Sequence, residues 1–357
     1  MSHLIAQLHH EMDIVVQMTM ILGTCVAGIV GLIALQQPKT ASIPPSETTA
    51  PSSFLPDPMT EPSKYSYELF VAVYTPIWIF LFGCIVVTQY YEQLTPTGYI
   101  IVCTVLALPF ILQPIIIPGG VMMFYNSNGT KNNACRISPD QDRPLLERYA
   151  FKANVWIAVY SFVGNYWYTH YFYSVLQASY TMPNAIRLNN VPIQMYCATH
   201  FYFTTYHLFS NCLLRKICTT YKPTWIRNVL FAAVVVVFSY FTAFMETLTI
   251  SSYPYYTFYD RHMAYTIGSA FYGIYFLVSF PAFYFFDQYI DSASLSSPMS
   301  TDVVSSKNQQ HAENGKPISC GETIVQSCGY GMIILFLLDF VRLWLDIPLI
   351  VGGTKGT

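Results

Sequence analysis

The stretch NVLFAAVVVVFSYFTAFMETLTI (228–250) carries a single charge, Glu246. A membrane span needs about 20 mostly apolar residues, and this run supplies them. An acid at bilayer depth is costly unless it faces a protein interior, where it usually has a task. Ser239, Thr242, Glu246 and Thr249 recur at i, i+3, i+7 and i+10, so they share one helical face. A carboxyl kept from water favours its protonated form, which a general acid requires. The competing role is a glutamate neutralised by histidine to fix helix packing.

Seven further apolar stretches accompany it, near 13–35, 67–87, 98–118, 153–177, 193–214, 263–286 and 324–347. Backbone polar groups in lipid must be satisfied locally, so each is expected to be helical. The expected fold is therefore all-α: a polytopic integral membrane helical bundle of about seven core spans plus one N-terminal anchor span. Proline at 76, 109, 114 and 281 is expected to kink helices where a cavity opens. Composition agrees. The 357 residues are 53% hydrophobic and only 10% charged, where soluble domains carry roughly a quarter charged residues. Mean hydropathy is +0.38. A net charge of −2 leaves no basic footprint for nucleic acid. The nine cysteines show no metal or paired spacing, and most fall in apolar spans, so no disulfide framework or metal is expected.

Charge orients the bundle. Thirteen lysines and arginines fall in the 36–66 linker and in every second loop or its flanks, against three (Arg187, Arg261, Lys355) on the other side. The positive-inside rule places the thirteen in the cytosol and both termini opposite. The flank MSHLIAQLHHEMD (1–13) lacks a basic n-region, so the first span is expected to be an uncleaved anchor. The sequon Asn128-Gly129-Thr130 then lies in a cytosolic loop. Four regions follow: tail and anchor (1–35), a Pro/Ser/Thr-rich disordered tether (36–62), a catalytic membrane bundle (63–347) and a short tail (348–357).

Other polar groups join Glu246 within apolar runs. His200 and His207 lie two turns apart on one helix face, and Asn211 continues it. Histidine moves protons either way near neutral pH, though two packing histidines satisfy the same pattern. His170 ends the run FVGNYWYTH (162–170), with Asn165, Tyr166 and Trp167 just before it. Such aromatic crowding offers cation stabilisation and a flat surface for a rigid polycyclic molecule; ordinary interhelical packing also explains it. Asp339 and Arg342 form an i, i+3 pair that offsets its own burial. Tyr253 and Tyr256 belong to an interfacial aromatic turn, and the Asp260–Arg261 pair beyond it can close the mouth of a site.

Several long strings now carry a resemblance. SKYSYELFVAVYTPIW (63–78), YAFKANVWIAVYSFVGNYWYTHYFYSVLQASYTMP (149–183), LNNVP (188–192), THFYFTTYHLFSN (199–211), METLTISSYPYYTFYDR (245–261) and SAFYGIYFLVSFP (269–281) resemble the cycloeucalenol cycloisomerase, or cyclopropyl sterol isomerase, family. The similarity runs from about Ser63 to Leu345, while 1–62, the 119–142 loop and 288–320 depart from the family pattern. The resemblance implies opening of the 9β,19-cyclopropane ring of a 4α-methyl sterol to a Δ8 olefin in the endoplasmic reticulum membrane. That chemistry needs a strong acid, a base and aromatic shielding of a cation, with no cofactor. The expected partners are a sterol substrate within the bilayer and membrane lipids. Glu246 is the expected acid, with His207, His200 or His170 as relay or base. Asn165, Tyr166, Trp167, Tyr253, Tyr256 and Asp260 are the expected substrate contacts. A proton-coupled transporter and a sterol double-bond isomerase use the same parts; the former is expected to show internal repeats, which the chain lacks.

Overall fold

A computed structural model of the chain describes residues 2–39, 53–58, 60–118, 138–251, 253–295 and 315–349. Its helices are α1 (Ser2–Ala34), α2 (Pro62–Val87), α3 (Pro96–Ile116), α4 (Tyr149–Ala158), α5 (Gly164–Trp167) and α6 (Thr169–Tyr171). They continue with α7 (Ile193–Thr220), α8 (Trp225–Ile250), α9 (Arg261–Met263), α10 (Ser269–Tyr284), α11 (Ile290–Leu295) and α12 (Cys320–Trp344). Among the described residues, six stretches are long and apolar enough to cross a membrane: Asp13–Ala34, α2, α3, α8, Arg261–Tyr284 and α12. The chain is thus an all-α, multi-pass membrane bundle.

Two expected spans differ from that pattern. The 193–214 span lies within α7, which has 28 residues. Its His, Thr, Tyr and Asn side chains dilute its hydropathy, because they point into the bundle rather than at lipid. The 153–177 span is discontinuous. After α4 the chain makes a π turn at Val159–Val163, passes α5 and α6, and makes another at Phe172–Leu176. It stops at Gln177, whose φ of 49° leaves the right-handed helical region. A third π turn, Ala264–Gly268, leads into α10. Such bulges re-aim side chains and gather at functional sites.

Short ribbons close one end of the bundle. Strand β1 (Ala178–Tyr180) pairs antiparallel with a strand at Tyr256–Phe258, placing Tyr180 opposite Tyr256. A second hairpin joins Arg187–Leu188 to Val191–Pro192. Its turn is Asn189-Asn190, with φ of 52° and 59°, the paired left-handed geometry of a type I′ turn. LNNVP is therefore a hairpin, a small departure from a purely helical reading.

The N-terminal helix packs on the bundle. It lies along α8, where Ile14 and Leu22 are buried with Phe244 and Tyr265. The start of the tether is also docked: Lys39 donates its backbone N–H to Thr220, and Lys222 donates to Gln37. Residues 40–52 of the tether, the sequon at 128–130 and most of the 288–320 loop fall outside the described residues.

Buried ion pairs tie the opposite end. Arg215 meets both oxygens of Glu68 at 2.6 and 2.7 Å, and Asn211 donates to Glu68 at 3.0 Å. Lys152 pairs with Asp287, which also accepts from the Ile318 N–H at 3.0 Å. Arg143 bonds Asp140 at 2.8 Å. Burying a charge requires a partner and further hydrogen bonds, and each of these has them. The expected Asp339–Arg342 pair forms at 2.6 Å.

Candidate active site

Between this tied end and the ribbons lies a cavity of about 630 Å³. That falls within the ~300–1,000 Å³ range of small-molecule sites. The second half of α2, α3, the broken α4–α6 segment, α7, α8 and α10 all contribute walls. Among the described lining residues Glu246 is the one Asp, Glu, Lys, Arg or His. The rest are aromatic, aliphatic or uncharged polar groups, twelve of them tyrosines.

The α8 face foreseen from spacing is largely the cavity face. Thr242, Glu246 and Thr249 line it, and Ser239 is buried lower on the helix. The opposite face, Tyr240, Phe244 and Leu248, packs on α1. On α10, Tyr272 donates its hydroxyl to Glu246 Oε2 at 3.0 Å. The Tyr206 hydroxyl of α7 lies beside the same carboxyl. Behind them the rings interlock: Tyr272 lies 5.3 Å from Phe276 in a tilted contact, and Tyr206 meets the same ring edge to face at 5.7 Å. Tyr202 and Tyr275 extend this wall.

The structure separates the other candidates. Asn165 lines the cavity and donates Nδ2 to the Ser161 carbonyl at 2.6 Å and to Thr199 at 2.8 Å, leaving its amide oxygen unused by either bond. Tyr253 and Tyr256 line it at the ribbon end. His200 and His207 do not line it. His200 is buried between Ser161 (Nδ1, 2.9 Å) and Asn154 (Nε2, 3.3 Å). His207 donates Nδ1–H to the Phe203 carbonyl at 2.7 Å and meets Ser279 through Nε2 at 3.1 Å, enclosed by Trp156, Phe280 and Phe283. Both rings spend their nitrogens on bundle packing, because that side of α7 faces α4 and α10 rather than the cavity. The His170 side chain lies outside the described set.

Three expected contacts are also off the cavity wall. Tyr166 is 49% exposed on the outer side of α5. Trp167 packs with Tyr168 against Gly331 of α12, where a β-carbon would stand 2.9 Å from the Tyr168 hydroxyl. Asp260 is exposed and caps α9 by accepting from the Met263 N–H at 3.1 Å. Sequence reasoning missed Tyr272, Tyr206 and Thr199. Tyr272 and Glu246 are 26 residues apart on different helices, and only packing relates them.

Chemically, the described lining residues offer one carboxyl hydrogen-bonded by the Tyr272 phenol, with the Tyr206 phenol beside it, within ring faces that stabilise a positive charge and exclude water. Among the described residues no three His, Cys, Asp or Glu side chains converge on a metal position.

Fold and cavity together define a multi-pass membrane protein with a single acid among the described residues of a chamber sized for a small lipid. The chain is 35% identical over 312 residues to the cycloeucalenol cycloisomerase of Arabidopsis thaliana, covering 86% of this chain and 95% of the relative. No protein-family model matches it, and neither does any solved structure. The chain belongs to the cycloeucalenol cycloisomerase family and is an isomerase of sterol biosynthesis.

Proposed function

We propose that the chain opens the 9β,19-cyclopropane ring of cycloeucalenol-type 4α-methyl sterols, giving the Δ8 olefin obtusifoliol, with Glu246 as the acid. The observation that carries this assignment is that Glu246 is the one carboxyl among the described lining residues, held by Tyr272 at 3.0 Å. The neutral carboxyl gives its proton to C19 as the C9–C19 bond breaks, and that bond's electron pair forms the new C–H bond. Positive charge develops at C9 against the faces of the surrounding tyrosines. The C8–H bond then supplies its electrons to the C8=C9 double bond. Its proton returns to the Glu246 carboxylate, directly or through the Tyr206 or Tyr272 hydroxyl. Nothing is oxidised or reduced.

In this scheme Asn165, Tyr253 and Tyr256 are the polar groups available to the sterol 3-hydroxyl. His200 and His207 position α7 rather than move the proton. The catalytic bundle spans 63–347, with seven core spans beside α1, in the endoplasmic reticulum membrane. The test is incubation of membranes carrying the chain with cycloeucalenol in D2O, followed by sterol mass spectrometry. At low substrate concentration, where the acid exchanges with solvent between turnovers, deuterium should enter the C19 methyl group of obtusifoliol. Glu246→Gln should lower the rate by on the order of 10²–10⁴-fold, the usual size of a general acid's contribution. Wild-type-like activity in that variant would remove Glu246 from the role, and inactive wild type would remove the isomerisation itself.

A further inference from the structure

The cavity walls are not equally sealed. Every large apolar lining residue that is more than a third exposed lies on α2, α7 or α8: Ile79 and Val86, Phe209, and Phe241 and Met245, at 36–47% exposure. The lining residues from α3, the α4–α6 segment and α10 are buried or only partly exposed. The reason lies in the packing. Helix α2 packs on α3, α4 and α7, and α8 packs on α1, α7 and α10, with no substantial α2–α8 interface among the described residues. Gly83 stands at the edge of the resulting slot, and a β-carbon there meets nothing within 4 Å. Toward the ribbons, by contrast, the cavity is stoppered by rings, with Tyr253 5.0 Å from Tyr91 and in reach of the Tyr99 hydroxyl at 3.5 Å.

We infer that the slot between α2 and α8 is a lateral portal through which the sterol enters from the hydrocarbon of the bilayer, and that its apolar side chain rests there during the reaction. This rests on the reading given under Proposed function. The rim is apolar and opens on surfaces long and apolar enough to lie in lipid, so a molecule entering here leaves one apolar medium for another. The residues of the hydroxyl-bearing end, Tyr253, Tyr256 and Asn165, are less exposed than those of the rim. A sterol entering with its polar ring first brings its nucleus to Glu246 and leaves its tail among Ile79, Phe209, Phe241 and Met245. Those rim residues then determine which tails are accepted.

Gly83→Phe tests this directly, because its ring has room to occupy the slot without displacing the cavity. The control is Gly329→Phe, which also meets open space but lies on α12, away from the cavity. Gly83→Phe should lower kcat/KM for the full-length sterol at least tenfold, and lower it much less for an analogue with a truncated tail. Gly329→Phe should leave both unchanged. Equal kcat/KM in Gly83→Phe and wild type would overturn the portal while leaving the isomerase intact. A second readout needs no turnover. A cycloeucalenol analogue with a diazirine on its side chain should, on irradiation of the wild-type chain in membranes, label Ile79, Phe209, Phe241 or Met245. Labelling confined to residues outside this rim would overturn tail occupancy even if wild type proved inactive, and the two readings therefore fail separately.

Discussion

His207 shows how a residue type can mislead when its surroundings are unknown. The ring is buried, with both nitrogens bonded to α7's own backbone and to Ser279. His207→Asn should therefore lower thermal stability in detergent by several degrees while kcat in the surviving folded fraction stays within a few-fold of wild type. A kcat loss of 100-fold or more without destabilisation would restore it to the chemistry. Glu246 was legible because its companions share its own helix, and i, i+3, i+7 spacing settles a face without any neighbour. Tyr272 was not, because its relation to Glu246 exists only across two packed helices. The histidines lie between these cases: spacing placed them on one face of α7, but not which neighbour that face meets.

The elements repeat this lesson with charge. Positive-inside counting located Arg215 and Lys152 on one side, yet it did not reveal that both are buried against acids far away in sequence. Glu68 and Arg215 are separated by 147 positions. Removing one partner of such a pair strands the other, typically at a cost of about 3–5 kcal/mol, whereas replacing both with apolar groups is often near neutral. Arg215→Met should accordingly lower the unfolding midpoint sharply, and Arg215→Met with Glu68→Met should recover most of it. Additive losses in the double variant would mean that the two charges act independently. The broken α4–α6 segment was equally hidden. Hydropathy reports a span's length but not where its hydrogen-bond ladder shifts register, and π turns carry no strong sequence signal.

At the scale of the molecule, length and apolar content were enough to give a multi-pass helical bundle, because lipid leaves backbone few alternatives. The docking of α1 was not readable, since a helix that packs on one neighbour and faces lipid elsewhere is apolar all round. It backs α8 on the face opposite Glu246 and so supports the helix that presents the acid, which makes it more than an anchor. Deletion of residues 2–35 should expose Phe244 and Tyr265, lower the unfolding temperature and reduce sterol conversion, even when the shortened chain still reaches the membrane. Unchanged specific activity after deletion would confine α1 to targeting.

A chamber whose described lining holds one carboxyl has an isotopic consequence. If the acid that opens one ring is recharged by the hydrogen that the same substrate surrenders, successive turnovers are linked by inheritance: each product's new methyl hydrogen descends from the previous substrate. At saturating cycloeucalenol in D2O, product should then carry well under one deuterium per molecule, with the content rising as substrate is diluted and the waiting carboxyl has time to exchange with solvent. A full deuterium at every substrate concentration would place the acceptor elsewhere. The amount of label, measured against turnover frequency, would time how long this cavity keeps a proton from water.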